Sequence, residues 1–111
     1  MADNIILAAK LLEDTNSKVV WTSPSTTTKL KTILFVNTTS AQIKVDTYYT
    51  RGEESVSKKK VFTNYETPIE ANDSIMISFD DDGYPMNVKN DKFWVKCDTA
   101  NALMVNVSGV Q

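Results

Sequence analysis

Apolar and polar residues alternate along most of this chain, and the alternation is clearest between Lys92 and Val110. Phe93, Val95 and Cys97 alternate with Trp94 and Lys96; after Asp98-Thr99-Ala100-Asn101, Leu103, Val105 and Val107 alternate with Met104, Asn106 and Ser108. Period-two alternation on both sides of a short polar link predicts a β-hairpin with one buried face. Gly109 is expected to end its second arm. A chain that finishes on an apolar strand is expected to tuck that strand into a sheet, because fraying would return Val105 and Val107 to water.

The same period runs backward through the chain. Lys18–Thr22 reads as a short strand, broken by Ser23-Pro24-Ser25-Thr26, since proline cannot donate to a ladder. Thr28–Val36 reads as a central strand, with Leu30, Thr32, Leu34 and Val36 on one face and Ile33 and Phe35 on the other. Asn37–Ser40 is a turn cluster, and Ile43, Val45, Thr47 and Tyr49 mark a half-buried strand. Arg51–Lys60 reads as a solvated loop, in which Lys58-Lys59-Lys60 guards a strand edge against pairing with other sheets. Val61–Glu66 is a predicted strand, Pro68–Asp73 a turn, and Ser74–Phe79 a strand with Ile75, Ile77 and Phe79 inward. The pattern predicts an all-β fold, an antiparallel β-sandwich of jelly-roll or Ig-like type with about seven or eight strands.

Residues 1–16 stand outside this rhythm. Ile5, Ala8, Ala9 and Leu12 share a helical face, and Asp3 or Asn4 is placed to cap it, so an N-terminal arm or short helix is expected ahead of a sandwich domain at 17–111. At about three turns such a helix is marginal alone. It is expected to cover its own sheet or to dock on a neighbouring subunit. Ile5, Ile6, Leu7, Leu11 and Leu12 of this arm are candidate contact residues. Tyr48, Trp94 and Met104, large groups on the outward phase of their strands, are the others.

Composition narrows the chemistry. With 111 residues, 41% hydrophobic and 23% charged, the chain suits one domain with its own core. A net charge of −2 argues against nucleic acid as a partner. There is no histidine, which removes the Ser-His-Asp and Cys-His arrangements and His-based zinc sites. The single cysteine, Cys97, has no internal disulfide partner and is read as an inert core thiol. No apolar run approaches the length of a membrane span, and Ile5–Ala9 is too short for a signal peptide. Asp80-Asp81-Asp82-Gly83 lacks the ligand spacing and distal Glu of a calcium loop and reads as an acidic turn. Asp46, Glu66, Asp91 and Asp98 are available carboxylates, but paired acid–base work needs two of them facing one cleft. No catalytic residue, metal site or cofactor is expected. The sequons at Asn37, Asn72 and Asn106 read as chance matches in an Asn/Thr/Ser-rich chain.

Three stretches resemble small bacteriophage virion structural proteins that carry a single β-sandwich domain. They are Trp21-Thr22-Ser23-Pro24 with the following strand to Asn37-Thr38; Pro68-Ile69-Glu70-Ala71-Asn72-Asp73-Ser74; and Lys92–Val110 with Thr99-Ala100-Asn101 and Asn106–Val110. The resemblance spans roughly residues 18–110 and rests on turn and strand signatures. It implies a non-enzymatic virion subunit, in head decoration, neck or tail, that meets other capsid, neck or tail proteins and forms homo-oligomers without nucleic acid or membrane. The Arg51–Lys60 loop, the Asp80–Asp82 turn and a glycine count of three depart from that pattern. The competing expectation is a carbohydrate- or host-surface-binding sandwich that uses Trp21, Trp94, Tyr48, Tyr49 and Tyr84 as stacking platforms and Asp80–Asp82 to hold calcium.

Overall fold

In the computed structural model, residues 5–24, 28–79, 83–86 and 88–110 are described. They form strands β1 (Ile5–Leu12), β2 (Lys18–Thr22), β3 (Lys29–Asn37), β4 (Ile43–Thr50), β5 (Lys60–Val61), β6 (Thr67–Ile69), β7 (Ser74–Ser78), β8 (Tyr84–Pro85), β9 (Lys92–Cys97) and β10 (Leu103–Val110). A single 3₁₀ turn occupies Val56–Lys58. Among these residues there is no α-helix. The expected caps Asp3 and Asn4 and the Asp80–Asp82 run lie outside them.

The strands make two antiparallel sheets, a β-sandwich-like architecture. The first has the order β1-β10-β3-β7, with β8 also on β3; the second has the order β2-β9-β4-β5, with β6 also on β4. The pairing is nested. β1 meets β10, β2 meets β9, β3 meets β7 and β8, and β4 meets β5 and β6. Ile33, Phe35, Leu103, Val105 and Val107 of the first sheet share one core with Ile43, Val45, Phe93, Val95 and Cys97 of the second. Phe62 joins them from the β5–β6 link, with its ring 4.6 Å from that of Tyr84 and 5.8 Å from that of Phe93.

Four expectations are corrected. The N-terminal segment is a strand rather than a helix: β1 pairs along β10 from Ile5↔Gly109 to Leu12↔Leu103. A three-turn helix gains little alone, whereas a strand satisfies the open edge of β10. Second, β9 and β10 do not form a hairpin. β9 lies between β2 and β4, β10 lies between β1 and β3, and the link at 98–102 passes from one sheet to the other. Third, the expected strand Val61–Glu66 ends after Val61. Thr47, buried, accepts the N–H groups of Thr63 and Asn64 at its hydroxyl, both at 2.9 Å, which draws the chain out of the ladder. Pairing resumes at Thr67–Ile69, where a turn was expected, and Pro68 is tolerated there because β6 lies at the sheet edge. Fourth, Gly109 lies within β10 rather than ending it.

Bulges explain the residues that break strict alternation. The register shifts between Ser108 and Gly109 opposite Lys31, so Leu30 and Ile33 both reach the core although three positions apart. A shift between Val19 and Trp21 similarly lets Val20 and Trp21 both face inward. Gly109 sits at the first of these irregularities, where a Cβ would lie 2.1 Å from the Lys29 carbonyl oxygen.

Candidate interaction surfaces

Because paired residues in adjacent strands share a face, the register defines what each sheet presents outward. On the second sheet the row Val19–Trp94–Tyr48–Val61 crosses all four strands. Trp94 donates its indole N–H to Thr50 Oγ1 at 3.0 Å, which ties the ring to its sheet. Tyr48 donates to Asp46 Oδ2 at 3.1 Å, and Lys59 Nζ stands 5.0 Å from the Tyr48 ring centre. Burial, followed by the Asp46 bond, pushes the Tyr48 phenol up to about 12. Charged residues border this row, with Lys96 opposite Asp46 and Lys92 opposite Thr50.

The outer face of the first sheet is different. Three rows cross it: Leu11–Met104–Val36–Ser74, Ala9–Asn106–Leu34–Met76 and Ile6–Ser108–Thr32–Ser78. None of these twelve positions carries a charge, and seven are apolar. Ile6 is 72% exposed, Met76 63% and Leu11 38%. Thr32 and Ser108 share a hydrogen bond between their hydroxyls.

The expected contact residues divide accordingly. Tyr48 and Trp94 stand opposite one another on the second sheet. Ile6, Leu11 and Met104 lie on the first. Ile5 is exposed beside Gly109. Leu7 packs against the core, and Leu12 is fully buried in it, so Leu12 is withdrawn as a contact residue. Its fate follows from strand phase, which turns it inward opposite Leu103. Met76 falls on the outward phase of its strand but was not among the expected contact residues, and Leu34 and Val36 were not expected on an open face. Leu34 and Val36 were read on the face of Leu30, and the bulge at Lys31 is what reverses them. Of the supposed stacking platforms, Trp21 is buried, and Tyr49 and Tyr84 belong to the aromatic cluster around Phe62.

Three of the four carboxylates considered for chemistry are each engaged separately. Asp91 is fully buried and accepts from Arg51 Nη1 and Gly52 N, both at 2.8 Å. Burial alone would lower the Arg51 pKa, but the bond and charge of Asp91 outweigh it and hold the guanidinium raised. Asp46 accepts the Glu66 N–H, and Asp98 accepts the Lys44 N–H at 3.0 Å. Burial raises the Cys97 thiol. A shallow cleft of about 430 Å³ opens at the β1 edge, lined by Ala9, Lys10, Leu11, Glu13, Asp14 and Lys18, and an Asp14–Lys18 ion pair of 3.0 Å spans part of it. Among the described residues no cluster of metal-ligating side chains occurs, and no helix is long and apolar enough to cross a membrane.

Comparisons with family models, curated proteins and solved structures found no significant match to this chain.

Proposed function

We propose that the chain is a non-enzymatic structural subunit of a bacteriophage particle, a head decoration, neck or tail component that assembles through its sheet faces. We read the fold as a jelly roll. Counting β5 with β6 and β7 with β8 as interrupted single strands leaves eight, paired first with last, second with seventh, third with sixth and fourth with fifth. That nesting supports the reading, because a long hairpin rolled into two layers is the jelly-roll plan, which recurs in viral capsid subunits. The observation that carries the assembly part is the set of three uncharged rows across the outer face of the first sheet, since apolar area left in water favours a protein partner. The strand and turn signatures resembling phage virion proteins point the same way. Peptide mass spectrometry of purified particles tests it: the chain should be present in many copies, and particles without it would sink the reading.

A second reading, a carbohydrate-binding sandwich, is favoured by the Trp94–Tyr48 pair, whose rings lie on an open sheet face. Lectin domains use the same fold plan. Binding on a glycan array that Trp94→Ala abolishes would favour it, and a flat array would count against it.

A further inference from the structure

We infer that the outer face of the first sheet is a self-association surface and that its occupant is a second copy of this chain. The inference deepens the assembly reading but stands on the register alone, so it can be tested in dilute solution without any particle.

The argument begins with charge. When a face packs on its own copy about a two-fold axis, charged side chains close to the axis meet their like, and the arrangement is penalised. The second sheet carries that penalty, with Lys44, Lys92, Lys96 and Asp46 on β4 and β9. The three rows that cross the first sheet from β1 to β7 do not, because they hold no ionisable group; the exposed Lys29 lies beyond them, in a row with Val110 and Pro85 at the end of the face. Away from that end a charged partner finds nothing to recognise.

Its polar groups also suit a copy of themselves. Thr32, Ser74, Ser78 and Ser108 carry hydroxyls and Asn106 an amide, and each can both donate and accept. Two identical sets can therefore satisfy one another, whereas a set of only donors or only acceptors cannot. The apolar residues concentrate in the first two rows, and Ser108, Thr32 and Ser78 lie together in the third. The face is thus apolar toward one end and polar toward the other, so apolar area and a polar border lie side by side as they do in an interface.

Size agrees. The Cα positions extend 40 × 32 × 19 Å. In a two-layered domain the short dimension runs through the layers, so each sheet face is spanned by the longer two. Such a face offers a footprint on the order of 1,000 Å², against the roughly 800 Å² per partner of a standard specific interface. β1 contributes Ile6, Ala9 and Leu11 to it, so the N-terminal segment serves as the flank of the interface rather than as a free arm.

Sedimentation velocity on the full chain tests this. At about 100 μM, well above a micromolar Kd, the wild type is expected to sediment as a dimer or larger symmetric assembly of the 12.4 kDa chain. Ile6→Lys with Met76→Lys should weaken association more than about 100-fold, because each lysine must lose its hydration to enter the contact. Both positions are well exposed, and an unchanged circular dichroism spectrum confirms the fold. Val61→Lys on the other sheet, 50% exposed in the wild type, should leave association intact. A monomeric wild type, or an assembly that survives the double substitution or dissolves with Val61→Lys, overturns the inference. Absence from purified particles would leave it standing and would sink only the virion reading.

Discussion

Arg51 Nη1 lies 2.8 Å from Asp91 Oδ2, and the two residues join the start of the β4–β5 loop to the segment that precedes β9. The Asp91 side chain is fully buried, whereas that of Arg51 is 40% exposed. The pair is therefore asymmetric, since removing the carboxylate also takes the acceptor from the part-buried Gly52 N–H. Asp91→Ala should cost about 3 kcal/mol of unfolding free energy, and Arg51→Ala about half as much because water can reach the gap. Urea denaturation of both variants checks the order; equal or reversed losses would contradict it.

Gly109 has no room for a side chain. The Lys29 carbonyl stands 2.1 Å from where its Cβ would lie, and the Leu7 Cδ1 atom 3.1 Å away. Gly109→Ala should destabilise by about 2 kcal/mol or more, because a backbone carbonyl on the neighbouring strand must move. A melting temperature within error of wild type would show that the strands separate there freely.

Asn37 fastens two loops together. Its Nδ2 donates to the carbonyls of Ala41 at 2.8 Å, Ile69 at 3.0 Å and Glu70 at 3.1 Å, while its Oδ1 accepts the Thr39 N–H at 2.9 Å. The sequon there is consequently closed to a glycan. Asn37→Ala removes the bond to the buried Ile69 carbonyl together with the two part-buried ones and should cost about 2 kcal/mol. Asn37→Asp should cost at least as much at neutral pH, since an acceptor then faces three acceptors. Guanidinium titrations rank the variants; an Asn37→Asp protein as stable as the wild type would refute the account.

Tyr48 should titrate late. Its folded pKa is about 12, against about 10 for a free phenol. A raised folded value means that its contribution to stability is fully present below about pH 10 and is lost as the pH rises toward 12. Ultraviolet titration should show a phenol step near pH 12, and Tyr48→Phe should remove it. A titration without that late step would show that burial and the Asp46 contact leave the Tyr48 phenol unshifted.

Much of the strand content was legible because half-buried strands write their phase directly into the chain. Phe93, Val95, Leu103, Val105 and Val107 are inward as expected, and so are Ile43 and Val45. Pairing was not legible. Alternation tells which side a residue faces but not which strand lies beside it, so β9 and β10 look like a hairpin although they belong to different layers. Bulges hid the rest. The register shift between Ile6 and Ala8 sets Leu7 and Ala8 both against the core. The helical face read there, Ile5, Ala8, Ala9 and Leu12, therefore mixes the inward Ala8 and Leu12 with Ile5 and Ala9, which are exposed. The bulge at Lys31 likewise moved Leu34 and Val36 onto the open face, and Met76 was visible only as the outward phase of a short strand.

The nested pairing has a consequence for how the molecule comes into being. Among the described residues β1 and β2 have no ladder partners except β10 and β9. The ribbons synthesised first must therefore wait, wet and unpaired, until residues 92–110 have been made, and each then closes a loop that spans most of the domain. Such long closures are slow and leave sticky edges open to neighbours in the meantime. Newly made copies are thus most vulnerable to clumping in the interval before that late segment arrives, and chaperones or cooler growth should raise the soluble yield.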